Sequence, residues 1–295
     1  MFRSSKKPDV FISIRQRTLD AIFDECDRFS HDETGGRIIG TYKNSGKGYE
    51  IHVSGVIGPG PNARRSPTSF FQDGEYQEAI FRQIEKNLPE IEHLGNWHTH
   101  HVNGLRTLSS GDKKTYRRIV SHEQHNTDFF YALLIVEKNV SRYPRYETKH
   151  YVFFRNDDAI HEVPESNVEI LKDQEPAGAT SAEDRDSDAL KCGRVKDQEL
   201  FSEFYPRLRP ILSKQLGALC WKGPVRLVDG SDANIVIVED ATSRDRPYSV
   251  AVVEGAGPRS AEGYEETSFA SARQAVINLE RRLNSELYLR EAGKK

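Results

Sequence analysis

GNWHTHHVNGLRTLSSGD, Gly95 to Asp112, places His98 and His100 two residues apart, then Ser109, then Asp112 three residues further on. In an extended segment residues i and i+2 project to the same face. Both imidazoles can therefore address one point while Thr99 faces away. Leu94 to His100 reads as a short strand, and Ser109 opens a helix carrying Tyr116, Ile119 and Val120. Asp112 then falls in the first helical turn, so a strand end and a helix start can close on one ion. Two imidazoles and a carboxylate are ligand types that hold a catalytic zinc with the fourth position left to water.

The flanking sequence alternates in the same way. Val10 to Ser13 reads as a strand, and Leu19, Ile22, Phe23, Cys26 and Phe29 mark one buried helical face. Gly36 to Tyr42 and Tyr49 to Ile57 read as strands around the turn residues Asn44 to Gly48. Tyr76, Ile80, Ile84 and Leu88 space a second helix that Pro89 ends. Phe129 to Glu137, FFYALLIVE, is apolar enough for a central strand, and Tyr146 to Arg155 and Ile160 to Val163 add two more. The order predicts a mixed α/β layer.

Asp32 to Gly36, DETGG, sets Glu33 at the head of the strand that follows. A carboxylate beside a metal-activated water is enough for amide hydrolysis: zinc lowers the pKa of its water to about 7, and the carboxylate can carry the proton to the leaving amine. Ser109 could donate to the oxyanion. Each residue also has a structural reading. Ser109-x-x-Asp112 fits a helix N-cap with an acidic residue in the first turn, and Glu33 alone could be a loop carboxylate. It is their joint occurrence, in this order, that favours a site.

Glu33, then His98-x-His100, a short loop and Ser109-x-x-Asp112, with Gly95 and Trp97 in the flank, resembles the JAMM motif of the MPN-plus metalloproteases, in particular the prokaryotic JAB branch. Gly58 to Asp73 also resembles the insertion of bacterial members. Two departures stand out: His101 occupies a position where the family commonly has proline, and the loop to Ser109 is one residue longer than in the commonest eukaryotic form. The resemblance implies a curved mixed sheet flanked by helices, of the cytidine-deaminase-like kind. It implies one catalytic Zn2+ on His98, His100 and Asp112, with Glu33 as base and Ser109 as oxyanion donor. It further implies an isopeptidase acting on a ubiquitin-like protein, with activating and conjugating enzymes of the same operon as partners. Two alternatives remain open: a hydrolase releasing an amino acid from a sulfur-carrier protein, and a metal-free scaffold.

Beyond this region the composition changes. Gln174 to Asp188 is small, acidic and proline-containing without apolar period, as expected of a linker. The expected division is a peptidase domain over 1–165, a linker over 166–192 and a small α+β domain over 193–295. In that last part Leu200, Phe204, Leu208, Ile211 and Leu212 suggest a helix, interrupted or kinked at Pro206 and Pro210, before strands at Val225–Val228, Ile235–Glu239 and Ser249–Val253 and a helical stripe from Phe269 to Leu287. If the chain is such an isopeptidase, this α-β-β-β-α unit is expected to be a docking or dimerisation module.

A net charge of −3 over 295 residues gives no overall basic field, so bulk nucleic-acid binding is not indicated. No apolar run approaches the length of a membrane span, and the N-terminus lacks the apolar core of a secretory signal. Cys26, Cys192 and Cys220 are too scattered for a disulfide framework. A cytoplasmic protein with buried, inert thiols is expected. His101 reads as a solvated loop residue with substrate contact as the alternative, His31 as a surface residue. For the Arg64-Arg65 pair, substrate contact and a solvated charge pair stay equally open.

Overall fold

The computed structural model describes residues 8–101, 105–138, 146–172, 195–213, 218–239, 248–254, 257–259 and 268–292. The chain divides into two compact units, Met1–Gln174 with Val228–Gly230, and Glu175–Leu227 with Ser231–Lys295. The expected linker stretch Gln174 to Asp188 and Cys192 lie outside the described residues.

In the first unit, β1 (Asp9–Arg15) leads into α1 (Gln16–Arg28), followed by β2 (Gly35–Asn44) and β3 (Gly48–Ile57). A small hairpin of β4 (Arg64–Ser66) and β5 (Ser69–Phe71) precedes α2 (Gly74–Asn87). Then come β6 (Glu92–His100), α3 (Ser110–Val120), β7 (Phe129–Glu137), β8 (Tyr146–Phe154), β9 (Ile160–Val163) and β10 (Val168–Leu171). Eight of these strands form one sheet in the order β10-β1-β3-β2-β6-β7-β8-β9. The pairs β10/β1, β1/β3 and β6/β7 are parallel and the others antiparallel. The unit is thus mixed α/β. The register of β2 shifts by one residue against each neighbour, and such bulges bend a strand and increase its twist.

β7 explains why the sheet has helices on both sides. Its residues are nearly all buried, and alternate ones enter different clusters. Phe129, Tyr131, Leu133 and Ile135 join Leu19, Ile22 and Cys26 of α1. Phe130, Ala132, Leu134 and Val136 join Tyr116 and Val120 of α3. A strand with two apolar faces must be covered on both. Gly95 of β6 sits beside β7, where an added Cβ would lie 1.7 Å from the Tyr131 carbonyl oxygen, so only glycine permits this approach.

Three expectations need correction. The first unit does not end at residue 165: β10 pairs in parallel with Ile12–Arg15, and the Asn167 side-chain Nδ2 donates to the Val10 carbonyl at 3.1 Å. No residue of β10 is fully buried, so its apolar residues carry little signal and the neighbouring strand reveals it. The three-residue strands of the hairpin β4–β5 were not read from the sequence either. In the second unit the helix expected to run to Leu212 is confined to α4 (Val195–Phe204), and β11 (Arg209–Ser213) is a strand. Pro206 and Pro210 remove helix donors, and Pro210 is tolerated because β11 lies at the sheet edge.

β11 pairs with β12 (Ala218–Arg226), which continues through β13 (Asp232–Glu239) and β14 (Tyr248–Glu254) to β15 (Gly257–Arg259), while β16 (Ser268–Phe269) also pairs with β14. The unit ends in α5 (Ala272–Ala292). Its sheet is therefore larger than the three strands expected. Phe201, Trp221, Ile235, Ile237, Tyr248, Ala275, Val276 and Leu279 form its core. Cys26 and Cys220 are both buried and form no disulfide. Among the described residues no helix is long and apolar enough to cross a membrane.

Two histidines of the first unit, His93 and the buried His150, are held neutral. Burial, then the Arg37 charge, pushes His93 down to about 4, and burial pushes His150 down to about 4. His150 lies between the Tyr131 hydroxyl at 2.7 Å and the Thr148 hydroxyl at 3.1 Å. In the unfolded chain these rings protonate below about 6.5. Between about pH 6.5 and 4 the unfolded state therefore binds more protons, so stability falls as pH drops through that window and levels off below it. Urea titrations across this range should show the fall, with a shallower slope in the His93→Asn/His150→Asn double variant. An unchanged slope would refute the assignment.

Candidate metal centre

The centre is built where β6 ends and α3 begins. On β6, Trp97 enters the cluster shared with α1, and His98 faces the opposite way, toward Tyr116 of α3. His100, two residues on, shares the His98 face. The two residues are 6% and 3% exposed, and their Nε2 atoms are 3.2 Å apart. Asp112 Oδ2 lies 3.4 Å from each of these nitrogens. The three ligand atoms thus form a nearly equilateral triangle, and the group could hold a metal ion. It is the one such group among the described residues.

Asp112 reaches this position through its helix cap. The Ser109 hydroxyl accepts from the Asp112 amide at 3.1 Å, and the Ser109 amide donates to Asp112 Oδ2 at 2.8 Å. This capping box bears out the structural reading of Ser109-x-x-Asp112. One lone pair of Oδ2 is tied to the backbone, which aims the other toward the histidines. Burial alone would raise the Asp112 carboxyl. Hydrogen bonds from His100 and His98, the His98 charge and Ser109 outweigh it and hold the group well below the usual carboxylate range.

Glu33 is placed by the pairing of β2 with β6. Gly35 lies opposite His98. One residue earlier, the Thr99 amide donates to the Thr34 carbonyl at 2.9 Å and the Thr34 amide donates to the Thr99 hydroxyl at 2.9 Å. Continuing the register sets Glu33 opposite His100, and residues directly opposite share a face. Glu33 is buried, at 8% exposure. The charges of Asp112 and Glu33 both act on the Tyr116 phenol and, after burial, help to push it far above its ordinary value. All five residues singled out from the sequence thus lie in one region. Glycine at 35 is needed there, since a Cβ would stand 2.5 Å from the Trp97 carbonyl oxygen and 2.9 Å from the Phe70 ring.

The hairpin β4–β5 borders the centre, with the Glu33 amide donating to the Ser66 carbonyl at 2.9 Å. Its two arginines differ. Arg65 is buried over the Phe29 ring, 3.8 Å from the centroid, and pairs with Glu25 at 3.4 Å, so it serves the scaffold. Arg64 is exposed beside Phe71. His101 is not a solvated loop residue: its side chain is 1% exposed, within 3.3 Å of Glu137 and edge-on to Tyr146. His31 is exposed, as expected.

Sequence reasoning missed two partners of the histidines. Tyr116 Oη lies 2.9 Å from His98 Nδ1, and the Leu105 carbonyl 3.2 Å from His100 Nδ1. Tyr116 was legible only as a core residue of its helix, although its i+4 relation to Asp112 sets both on one face.

No family model matches the chain, and no curated protein matches it. Among solved structures, the solution structure of protein DSY2949 from Desulfitobacterium hafniense is similar, with 18% identity over 56% of this chain and 95% of that chain and a TM-score of 0.39.

Removing the cap tests how Asp112 is held. Ser109→Ala should cost about 1 kcal/mol of stability in metal-free protein, read by chemical denaturation. No measurable loss would show that the cap does not hold the start of α3.

Proposed function

We propose that this chain is a zinc-dependent isopeptidase of the JAMM/MPN-plus kind, of the JAB branch with its cytidine-deaminase-like layer, which hydrolyses the amide bond after the C-terminus of a ubiquitin-like protein. The observation that carries the metal is the ligand triangle, with edges of 3.2, 3.4 and 3.4 Å. A tetrahedral zinc with bonds of about 2.0–2.1 Å separates its ligand atoms by about 3.3–3.4 Å. Two imidazoles and one carboxylate also suit zinc better than calcium or magnesium, which prefer all-oxygen sites. The substrate class rests on the resemblance of Glu33, His98, His100, Ser109 and Asp112 to the family motif.

In this reading His98, His100 and Asp112 hold the ion. Bound there, zinc supplies Lewis acidity and makes hydroxide accessible at neutral pH. The Glu33 carboxylate takes a proton from the attacking water as the new C–O bond forms. It then delivers that proton to the amine nitrogen as the C–N bond breaks, which gives a neutral leaving group. The Ser109 Oγ accepts from the Asp112 amide, which leaves its own O–H to donate to the oxygen of the scissile carbonyl. The buried setting of Glu33 and both imidazoles limits competing water. The unit over 193–295 is assigned to holding the protein substrate.

Glu33→Ala should lower cleavage of a ubiquitin-like fusion by about 10²–10⁴-fold while bound zinc, measured by elemental analysis, stays stoichiometric. Asp112→Ala should lose both. Near wild-type cleavage by Glu33→Ala would dismiss Glu33 as the base. Deleting residues 193–295 should raise KM for the protein substrate and leave zinc content unchanged, and an unaltered KM would remove the docking role.

A further inference from the structure

Three consecutive residues, Glu33 to Gly35, are gripped by the hairpin β4–β5. The Ser66 carbonyl accepts from the Glu33 amide at 2.9 Å. Arg65 Nε donates to the Thr34 hydroxyl at 3.4 Å. The Phe70 ring, paired across the hairpin with Arg65, stands 2.9 Å from where a Cβ on Gly35 would lie. Regular β2 starts only at Gly35, so Glu33 and Thr34 are held by these contacts and by β6.

Thr34 is the fixed point of the segment. It is fully buried, and its amide and carbonyl both bond to Thr99 of β6. Its hydroxyl donates to Glu25 Oε1 of α1 at 3.4 Å while it accepts from Arg65. Arg65 Nη2 closes the triangle on the same oxygen at 3.4 Å. These contacts are long, but each includes a charged group, which strengthens a hydrogen bond, and both charged side chains are largely buried. Neighbouring residues of an extended chain point to opposite faces. A Thr34 side chain pinned toward α1 therefore turns Glu33 toward the histidines.

We propose that Arg65 is a positioning residue for the assigned base: it ties the hairpin to Glu25 and Thr34 and thereby holds the Glu33 carboxylate at the attacking water. The role of Glu33 as base rests on the function proposed above; the holding of its segment does not. Arg65 has little freedom of its own, with its guanidinium 3.8 Å from the Phe29 centroid. Arg28 takes the other carboxylate oxygen of Glu25, Oε2, at 2.7 Å, so Glu25 stays paired when Arg65 is replaced. A general base must lie within hydrogen-bond reach of the proton it takes, and a displacement of about 1 Å can cost about a hundredfold in rate.

The test compares the full zinc-loaded chain with Arg65→Met, which keeps an unbranched side chain over Phe29 but no donor. kcat for a ubiquitin-like fusion should fall about ten- to a hundredfold, with KM and zinc content unchanged. Adding Glu25→Gln removes the charge left behind. It should restore the thermal midpoint and leave kcat low, a split that a purely structural role would not produce. Thr34→Val should lower kcat in the same way and Thr34→Ser should recover it, which decides the matter even if Arg65→Met does not fold. In metal-free protein, amide exchange at Glu33 and Thr99 should be about tenfold faster in Arg65→Met or Thr34→Val, with the amides of β7 unchanged. A folded Arg65→Met with wild-type kcat overturns the proposal, as does unchanged exchange at Glu33. A wild type that binds zinc but cleaves no fusion overturns the function proposed above, and the exchange rates alone then decide whether Arg65 holds Glu33.

Discussion

The backbone pairing of β2 with β6 at Gly35 and His98 is the constraint on which the centre depends. It carries Glu33 in from one strand and both imidazoles from the other. The reciprocal contacts of Thr34 and Thr99 extend the pairing past the regular ladder toward the ligands. Because strand side chains alternate, a one-residue slip would turn His98 and His100 toward the opposite face. Slippage is opposed from three sides: Trp97 is locked into the α1-side core, Gly95 admits the Tyr131 backbone, and Gly35 admits Trp97 and Phe70.

The second element of the centre is supplied by a helix terminus. α3 packs Tyr116 and Val120 on β7 and β8 through one cluster, which brings its first turn to the carboxyl end of β6. Parallel neighbours such as β6 and β7 leave a crevice outside their carboxyl ends, where ligands of α/β sheets commonly bind. Asp112 caps its own helix and faces the histidines with the same oxygen. Local helix stability and site geometry are thereby coupled, and the carboxylate arrives with little freedom left to lose.

The hairpin β4–β5 shows how one short segment divides its work. Arg65 is drawn inward beside Glu25, whose carboxyl is raised by burial and only partly lowered again by the charges of Arg28 and Arg65. Its guanidinium also covers Phe29. Arg64, one residue earlier in an extended strand, must point the other way and remains exposed beside Phe71. Two adjacent arginines with the same composition argument thus receive different fates from alternation alone.

Much of this arrangement was legible in the sequence. The unbroken apolar run of β7 announced a central strand, the spacing of Leu19, Ile22 and Cys26 announced a helix, and the His98-x-His100 and Ser109-x-x-Asp112 spacings named side chains that the fold brings together. Each of these signals is a local period or offset, so each survives without knowledge of neighbours. β10, the small hairpin and β11 were not read as strands: β10 pairs with β1, far away in the chain, and the hairpin and β11 are short segments interrupted by Pro67 and Pro210. The fates of Arg65 and His101 and the hydroxyl of Tyr116 beside His98 were also decided only by tertiary structure. A side chain's burial, and the direction of its hydrogen bond, depend on which elements converge around it.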